Sequence, residues 1–518
     1  MNKIRILWAD DEIDLLKPQL FFLEKKGYTI QTVSNGHDAL TQLAESGPYD
    51  IIFLDESMPG ITGLETLSRI KNLGYSIPVV MVTKNEAENI MEEAIGGQIA
   101  DYLIKPVNPN QLLLTLKKLM DNKRLISEKS TLAYQTAFRE LYMKITGTNH
   151  FEDWVDIYKN LIQWELKLDE SSDPEIQDIL ASQKMEANNE FSKYIINNYS
   201  GWFDNKNKAP ILSHQLLLEK VFKHLNDDVP TIFLLLDNLR FDQWKVIEPI
   251  INQNFHIEEE SYFYSILPST TQYSRNAIFA GLMPADIERE YPDWWLNDND
   301  EGGKNLKEPD LLAKQMKRWI RKEIKTEYIK VTNSSHGKTL VDNADQLLNN
   351  QFTVIVYNFI DMLSHVRTEM EVLKELASDE KAYRSLTKSW FLHSPLWSAL
   401  QKISKKKVRL IIATDHGTIR VNDPSRVVAD KETTSNLRYK VGKYLQYEKK
   451  DVLEIREPQK VGLPRPNVSS AFIFARENKY FLYPNNYGYY LNYFKNTFQH
   501  GGISMEELIC PVIRLVSK

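Results

Sequence analysis

Over residues 3–120 the chain alternates short apolar runs with segments whose apolar positions recur every three or four residues. IRILWA, YTIQTV, DIIFLD, IPVVMV and ADYLI read as strands, and Ile13, Leu16, Leu20 and Leu23 show the helical spacing between them. Five strand-then-helix units with short connections predict a parallel sheet covered on both faces. Over residues 122–220 the strand-like runs stop. SSDPEIQDIL predicts a helix there, with Asp173 as N-cap and Pro174 in the first turn, and a small helical bundle is the expected form. In the remainder three apolar runs end alike: TIFLLLD at Asp237, FTVIVYNFID at Asp361, and VRLIIATDH at Asp415 and His416. Continuous apolar runs fit parallel strands buried on both faces, whose carboxyl ends form the ligand edge. The pattern divides the chain into 1–121, 122–210 and 211–518, a multidomain α/β protein with a helical middle.

Composition narrows the choice of chemistry. The 518 residues carry a net charge of −6, which gives no bulk attraction to nucleic acid or anionic lipid. The middle segment shows no compact basic recognition helix, so a DNA-binding output domain is not expected. No apolar run approaches the ~20 residues of a membrane span, and MNKIRILWADDE lacks a secretion signal, so a cytoplasmic protein is expected. The single cysteine, Cys510, excludes an internal disulfide and a cysteine-built zinc site, leaving His, Asp and Glu as metal ligands.

In the first region the strand ends carry Asp10 and Asp11, Asp55 and Thr83, and Lys105-Pro106 follows the fifth strand. Three carboxylates meeting at one edge repel one another unless a divalent cation sits among them, and oxygen ligands suit magnesium. Asp55 then becomes a phosphate acceptor, with Thr83 and Lys105 placed to bind the phosphoryl oxygens. With ESMPG after Asp55, Tyr102, and KP at Lys105, the region resembles the receiver domains of bacterial response regulators, which are flavodoxin-like. That resemblance implies phosphorylation of Asp55 by a sensor histidine kinase and a magnesium shell joined by the Ser57 carbonyl. It also implies that Thr83 and Tyr102 couple the modification to the outer face.

In the last region His365 follows Asp361 by four residues, so both face one ion if a helix begins there, and His500 arrives in FQHGGIS beside glycines. Asp and His ligands without cysteine suit zinc or manganese, and the set is large enough for two ions that clamp a phosphoryl transfer. LPSTTQYSRNAIFAGLMP reads as a tight loop entering a helix, where a hydroxyl nucleophile is expected.

The order Asp, Thr, Asp-x-x-x-His, Asp-His, His resembles the alkaline phosphatase superfamily, and HGGISMEELICPVI resembles the C-terminal signature of its PglZ branch. The resemblance implies one zinc on Asp237, Thr271, Asp415 and His416, and a second on Asp361, His365 and His500. It implies Thr271, not Thr270, as nucleophile, because Thr271 is the third residue after Pro268. Related diesterases carry a transition-state Asn three residues after the nucleophile. Here that position is Ser274, with Arg275 and Asn276 as nearby substitutes. A receiver ahead of a PglZ-type domain resembles response regulators of the type IX secretion system in Bacteroidetes. That implies an extracytoplasmic-function sigma factor and secretion components as partners, and homodimers on phosphorylation. The expected activity is zinc-dependent hydrolysis of oligonucleotide-type phosphodiesters, linear or cyclic. A phosphomonoesterase with the same ligands and a non-catalytic adaptor are the alternatives.

Overall fold

The structure, a computed structural model, describes residues 4–75, 77–84, 99–169, 174–205, 208–225, 229–358, 360, 379–430 and 433–518. It separates into two compact units, Met1–Leu132 and Ala133–Lys518. In the first, β1 (Arg5–Ala9), β2 (Thr29–Val33), β3 (Ile51–Asp55), β4 (Val79–Thr83) and β5 (Asp101–Ile104) form one parallel sheet in the order β2-β1-β3-β4-β5. This flavodoxin-like order reverses direction next to β1 and β3, which opens a crevice at their carboxyl ends. Alternate residues of the central strands enter opposite cores: Leu7, Ile52, Leu54 and Met81 on one side, Ile6, Trp8, Phe53 and Val80 on the other. Helices α1 (Lys17–Lys25), α2 (Gly36–Ser46), α3 (Gly63–Asn72) and α4 (Pro109–Gly147) accompany the sheet. Asn35 caps α2, and a Thr62–Glu65 capping box starts α3. The boundary between the units falls inside α4, after Leu132.

The second unit contains α5 (Phe151–Leu168), α6 (Pro174–Asn198) and, among its described sheets, a main one of six strands: β6 (Thr231–Leu236), β7 (Phe255–Tyr264), β8 (Thr326–Val331), β9 (Phe352–Tyr357), β10 (Arg409–Ala413) and β11 (Ile509–Ser517). Their order is β7-β11-β10-β6-β9-β8. β8, β9, β6 and β10 run parallel, while β11 and β7 add an antiparallel edge. Every residue of β6 is buried, and each of its Leu, Ile and Phe side chains contributes roughly 1.5–3 kcal/mol by leaving water. A charge at Leu234 would break this strand. β9 ends at Tyr357, ahead of Asp361, and both Asp361 and His365 lie outside the described residues, as does the expected N-cap Asp173.

The helical middle shares its core with this sheet. Trp154, Tyr158, Leu161 and Phe191 belong to the same buried cluster as Phe233, Leu235 and Phe241. The Tyr158 ring lies 6.0 Å from that of Phe241, and Tyr264 Oη donates to the Phe151 carbonyl at 2.8 Å. Linker and sheet therefore unfold together, because neither can lose the other without exposing one continuous core. No described helix is long and apolar enough to cross a membrane.

Candidate metal and catalytic sites

In the first unit the strand ends bring Asp10, Asp11 and Asp55 together, with ligand oxygens within 4.8 Å of one another; Asp10 and Asp55 are buried and Asp11 is exposed. Lys105 Nζ lies 2.9 Å from an oxygen of each buried acid. Burial pushes the Asp55 carboxyl above its ordinary value; the hydrogen bond from Lys105 works against this and the charge of Asp10 adds to it. For Lys105 burial opposes the charge, but Asp10 and Asp55 hold its pKa above the usual lysine value. Three carboxylates facing one ammonium leave net negative charge, so the donor set fits a hard divalent cation. Thr83 is buried at the end of β4, Ser57 stands two residues beyond β3, and Tyr102 on β5 is partly exposed. The sequence reading passed over Gly63. A Cβ there would meet the Asp55 carbonyl at 2.4 Å, so only glycine lets α3 start against the acceptor strand.

In the second unit β6 lies between β9 and β10, and the pairing of Leu235 with Ala413 carries forward to set Asp237 level with Asp415. Ligand atoms of Asp237, Asp415 and His416 lie within 4.8 Å of one another, and all three residues are buried. Each carboxylate is divided between scaffold and cluster. Asp237 Oδ2 takes an ion pair from Arg275 Nη1 at 2.6 Å, while Oδ1 lies 3.4 Å from Thr271 Oγ1 and 3.9 Å from His416 Nε2. Asp415 Oδ1 accepts the backbone N–H groups of Asn238 at 3.2 Å and His416 at 3.1 Å, while Oδ2 lies 3.8 Å from His416 Nε2. Thr271 Oγ1 is 3.1 Å from the same nitrogen.

His416 Nδ1 faces the Gly417 carbonyl at 3.2 Å. A carbonyl only accepts, so Nδ1 carries the proton and Nε2 turns its lone pair to the cluster, the orientation a metal-binding histidine needs. Gly417 makes this turn possible, since a Cβ there would meet the Glu506 carbonyl at 2.1 Å. His500 stacks on His416 with ring centroids 4.3 Å apart, and its Nδ1 faces the Ser269 carbonyl at 3.3 Å. Buried nitrogen and oxygen donors without thiolate fit zinc or manganese. Of the second predicted ligand set, His500 alone falls among the described residues.

Thr270 is buried, and its hydroxyl makes no hydrogen bond among the described residues; of the two adjacent threonines, Thr271 is the one that reaches the cluster. Both start a wide turn, Thr271–Arg275, that leads into a short helix. The residues near the expected transition-state position are engaged elsewhere. Ser274 Oγ donates to the Asp415 carbonyl at 2.7 Å and contacts the hydroxyls of Ser213 and Ser265. Asn276 donates to the carbonyls of Gln272 and Lys304. Arg275 bridges Asp237 and Glu308, with Nε 2.5 Å from Glu308 Oε1. Burial opposes its charge, yet Glu308, Asp237 and Asp415 hold its pKa above the ordinary arginine value. Glu308 and Ser269 were not singled out from sequence. Ser269 Oγ accepts from Gly501 N and donates to the Gly502 carbonyl, both at 3.1 Å, tying the Thr271 loop to the His500 strand.

Three families match consecutive parts of the chain. Residues 6–117 match the response regulator receiver domain, 124–203 the PorX response regulator linker domain, and 216–515 the BREX system PglZ alkaline phosphatase-like domain. Among curated proteins the chain is similar to the transcriptional regulatory protein ResD of Bacillus subtilis, at 31% identity over 119 residues, 23% of this chain and 49% of that protein. It is also similar to the alginate biosynthesis transcriptional regulatory protein AlgB of Pseudomonas syringae, at 33% identity over 131 residues, 25% of this chain and 29% of that one. It thus spans about half or less of the length of these relatives. A solved CheY-like receiver domain from Methanospirillum hungatei is 26% identical and covers 23% of this chain and 96% of its own, with a TM-score of 0.23.

Proposed function

As the chain belongs to the PglZ alkaline phosphatase-like family, with a receiver and a PorX-type linker before it, we propose a zinc-dependent phosphodiesterase for its effector domain. Its substrates are oligonucleotide-type diesters, linear or cyclic. One observation carries the reading: Thr271 Oγ1, Asp415 Oδ2 and Asp237 Oδ1 converge on His416 Nε2 at 3.1, 3.8 and 3.9 Å. Asp237, Thr271, Asp415 and His416 would hold one zinc, and His500 with Asp361 and His365 the other. When bound, such ions neutralise phosphoryl oxygens and acidify a neighbouring hydroxyl.

Thr271 supplies the attacking oxygen. Its hydroxyl proton passes to water as the bond to phosphorus forms, and the departing alkoxide takes a proton from water as its bond to phosphorus breaks; a second water then cleaves the phosphothreonine, releasing the phosphomonoester and restoring the Thr271 hydroxyl. Arg275 anchors the far oxygen of Asp237, so the near oxygen stays aimed at Thr271. Ser274 and Ser265 hold the Asp415 carbonyl in place from behind.

In the receiver, Asp10, Asp11, Asp55 and the Ser57 carbonyl would hold magnesium. Asp55 accepts phosphate from a sensor histidine kinase, Thr83 and Lys105 contact the phosphoryl oxygens, and Tyr102 passes the change outward. The setting is cytoplasmic regulation of type IX secretion, with a sigma factor and secretion components as partners and a homodimer as the phosphorylated form. Parallel assays on p-nitrophenyl and bis-p-nitrophenyl phosphate, with the zinc content measured, test the activity. Faster diester cleavage by zinc-loaded protein supports the reading. Monoester cleavage alone makes the protein a phosphomonoesterase, and bound zinc with neither activity makes it an adaptor.

A further inference from the structure

Beside the catalytic cluster lies a cavity of about 570 Å³ whose wall runs from His500 past Gln499, Asn436 and Tyr439 to Tyr493 and Phe494. His500 stacks on His416 with ring centroids 4.3 Å apart, so one end of this cavity lies one ring away from the cluster. The other end is α7 (Tyr487–Phe494), whose sequence YGYYLNYF holds five aromatic residues and no charge, and none of whose residues is fully buried. Tyr487, Leu491 and Phe494 fasten the helix to a small core of Ile419, Val421, Tyr480 and Leu482. Tyr489 and Tyr490 remain 64% and 40% exposed. Along the helix the rings lie nearly parallel in pairs: Tyr489 with Tyr493 at 5.8 Å and 16°, Tyr490 with Phe494 at 5.9 Å and 13°. An exposed aromatic face next to a reaction centre calls for a ligand rather than for core packing.

The lining says which ligand. Among the described residues no lysine or arginine contributes to the cavity wall, so the described wall does not suit a phosphate group. The one carboxylate that the described residues give the wall, Asp298, accepts hydrogen bonds from the Tyr273 and Tyr439 hydroxyls, and burial raises its pKa. What remains is ring faces edged by the amides of Asn436 and Gln499. That combination suits a flat, neutral heterocycle with donors and acceptors on its rim.

We propose that this cavity and the outer ring face of α7 form a nucleobase subsite, in which the bases of a single-stranded oligonucleotide stack on Tyr493 and Tyr489 while the adjoining phosphodiester reaches Thr271. The proposal rests on the phosphodiesterase reading. It goes further by making the base, and not only the phosphate, the recognised group.

Equilibrium binding to zinc-loaded full-length protein tests it, with a tetrathymidylate carrying phosphorothioate linkages against an abasic tetramer of the same charge. The base-containing tetramer should bind at least about tenfold more tightly, the strength expected of base-on-ring stacking. Tyr493→Ala should cut that affinity about five- to a hundredfold, and Tyr493→Phe, which keeps the ring, should restore it to within about twofold. Tyr489→Ala, at an exposed position outside the core, should weaken binding in the same direction and guards against a folding artefact at Tyr493. Equal affinity for the two tetramers overturns the subsite. So does tighter binding of a maltotetraose, or a Tyr489→Ala variant that loses self-association in sedimentation while binding the base-containing tetramer like wild type. Hydrolysis of bis-p-nitrophenyl phosphate by the wild type separates the two claims. Cleavage without base discrimination sinks the subsite alone, whereas base discrimination without cleavage supports the subsite and sinks the phosphodiesterase.

Discussion

In the receiver unit, Lys105 reaches in between Asp10 and Asp55 and lies 2.9 Å from each; in the effector unit, Arg275 meets Asp237 from behind at 2.6 Å and leaves the other oxygen facing Thr271 and His416. Both clusters gather three ligand residues within 4.8 Å at the carboxyl ends of parallel strands. They differ in where the cation stands. The flexible ammonium of Lys105 stands on the ligand side, where an arriving cation or phosphoryl group would compete for the same carboxylate oxygens. The planar guanidinium of Arg275 is fixed by Asp237, Glu308 and Asn358, so the effector cluster keeps its geometry. The position of one counter-ion separates a pocket that can switch from a pocket that is preorganised.

The sharpest way to break this comparison is at the proposed nucleophile, Thr271. Val has nearly the shape of Thr without its hydroxyl, so Thr271→Val should lower diester hydrolysis by roughly three or more orders of magnitude. Phosphorylation of Asp55 by a small phosphodonor should persist, because the receiver pocket contains no residue of the effector cluster. Thr270→Val should leave most of the activity, since its hydroxyl makes no hydrogen bond among the described residues. Wild-type hydrolysis by Thr271→Val would mean that water, and not threonine, attacks.

Removing the cations should separate the units next. Arg275→Met leaves the buried Asp237 without its ion pair, and Glu308 with Lys330 and Tyr328 alone, and should cost the second unit about 3–5 kcal/mol. Lys105→Met should cost the receiver less, because Asp11 is exposed and magnesium can replace the lost charge. Denaturant-dependent hydrogen exchange, resolved by peptide, reads the two units apart, and equal losses would erase the distinction between fixed and exchangeable cations.

Metal exchange gives a smaller effect. After chelation, zinc should restore hydrolysis and stabilise the second unit by about 2.7 kcal/mol at a hundredfold excess over its dissociation constant. Magnesium should restore Asp55 phosphorylation and leave hydrolysis absent. Restoration of both functions by magnesium alone would overturn the zinc assignment.

These sites were legible in the sequence to different depths. Asp10, Asp55, Asp237 and Asp415 were readable because continuous apolar runs mark buried parallel strands and the first polar residue after each marks the ligand edge. Arg275 was noticed for its nearness to Thr271, but its partners Glu308 and Asn358 stand on other elements, and no local pattern announces a contact across 33 or 83 residues. The shared core of linker and sheet was hidden for the same reason. Trp154 and Tyr158 show helical spacing, and spacing does not say what the apolar face packs against. The aromatic run of α7 carried a signal of another kind: five rings in eight residues, which as an exposed face points to stacking rather than to core.

A second lysine sharpens the comparison by its difference from Lys105. Lys440 is buried with Nζ donating to the Thr434 carbonyl at 2.8 Å, above the Tyr483 ring at 4.4 Å. Burial pulls its pKa down to about 7, whereas the two acids beside Lys105 raise the pKa of that residue. The two groups therefore load stability onto pH in opposite ways. For Lys440 the unfolded chain holds a proton that the folded chain has released anywhere from about pH 7 to the ordinary lysine value, so its contribution to stability rises with pH across that window. It is complete above the ordinary value and lost as pH falls towards 7. For Lys105 the folded state holds the proton longer, so its contribution is constant across the same window and is lost only at more alkaline pH. The stability difference between wild type and Lys440→Met should accordingly grow from pH 7 to 10 by at most about 1.4 kcal/mol per pH unit. The corresponding difference for Lys105→Met should stay flat. Urea denaturation at pH 7, 8.5 and 10 measures both. A flat line for Lys440 would show that it stays charged in the fold across this range.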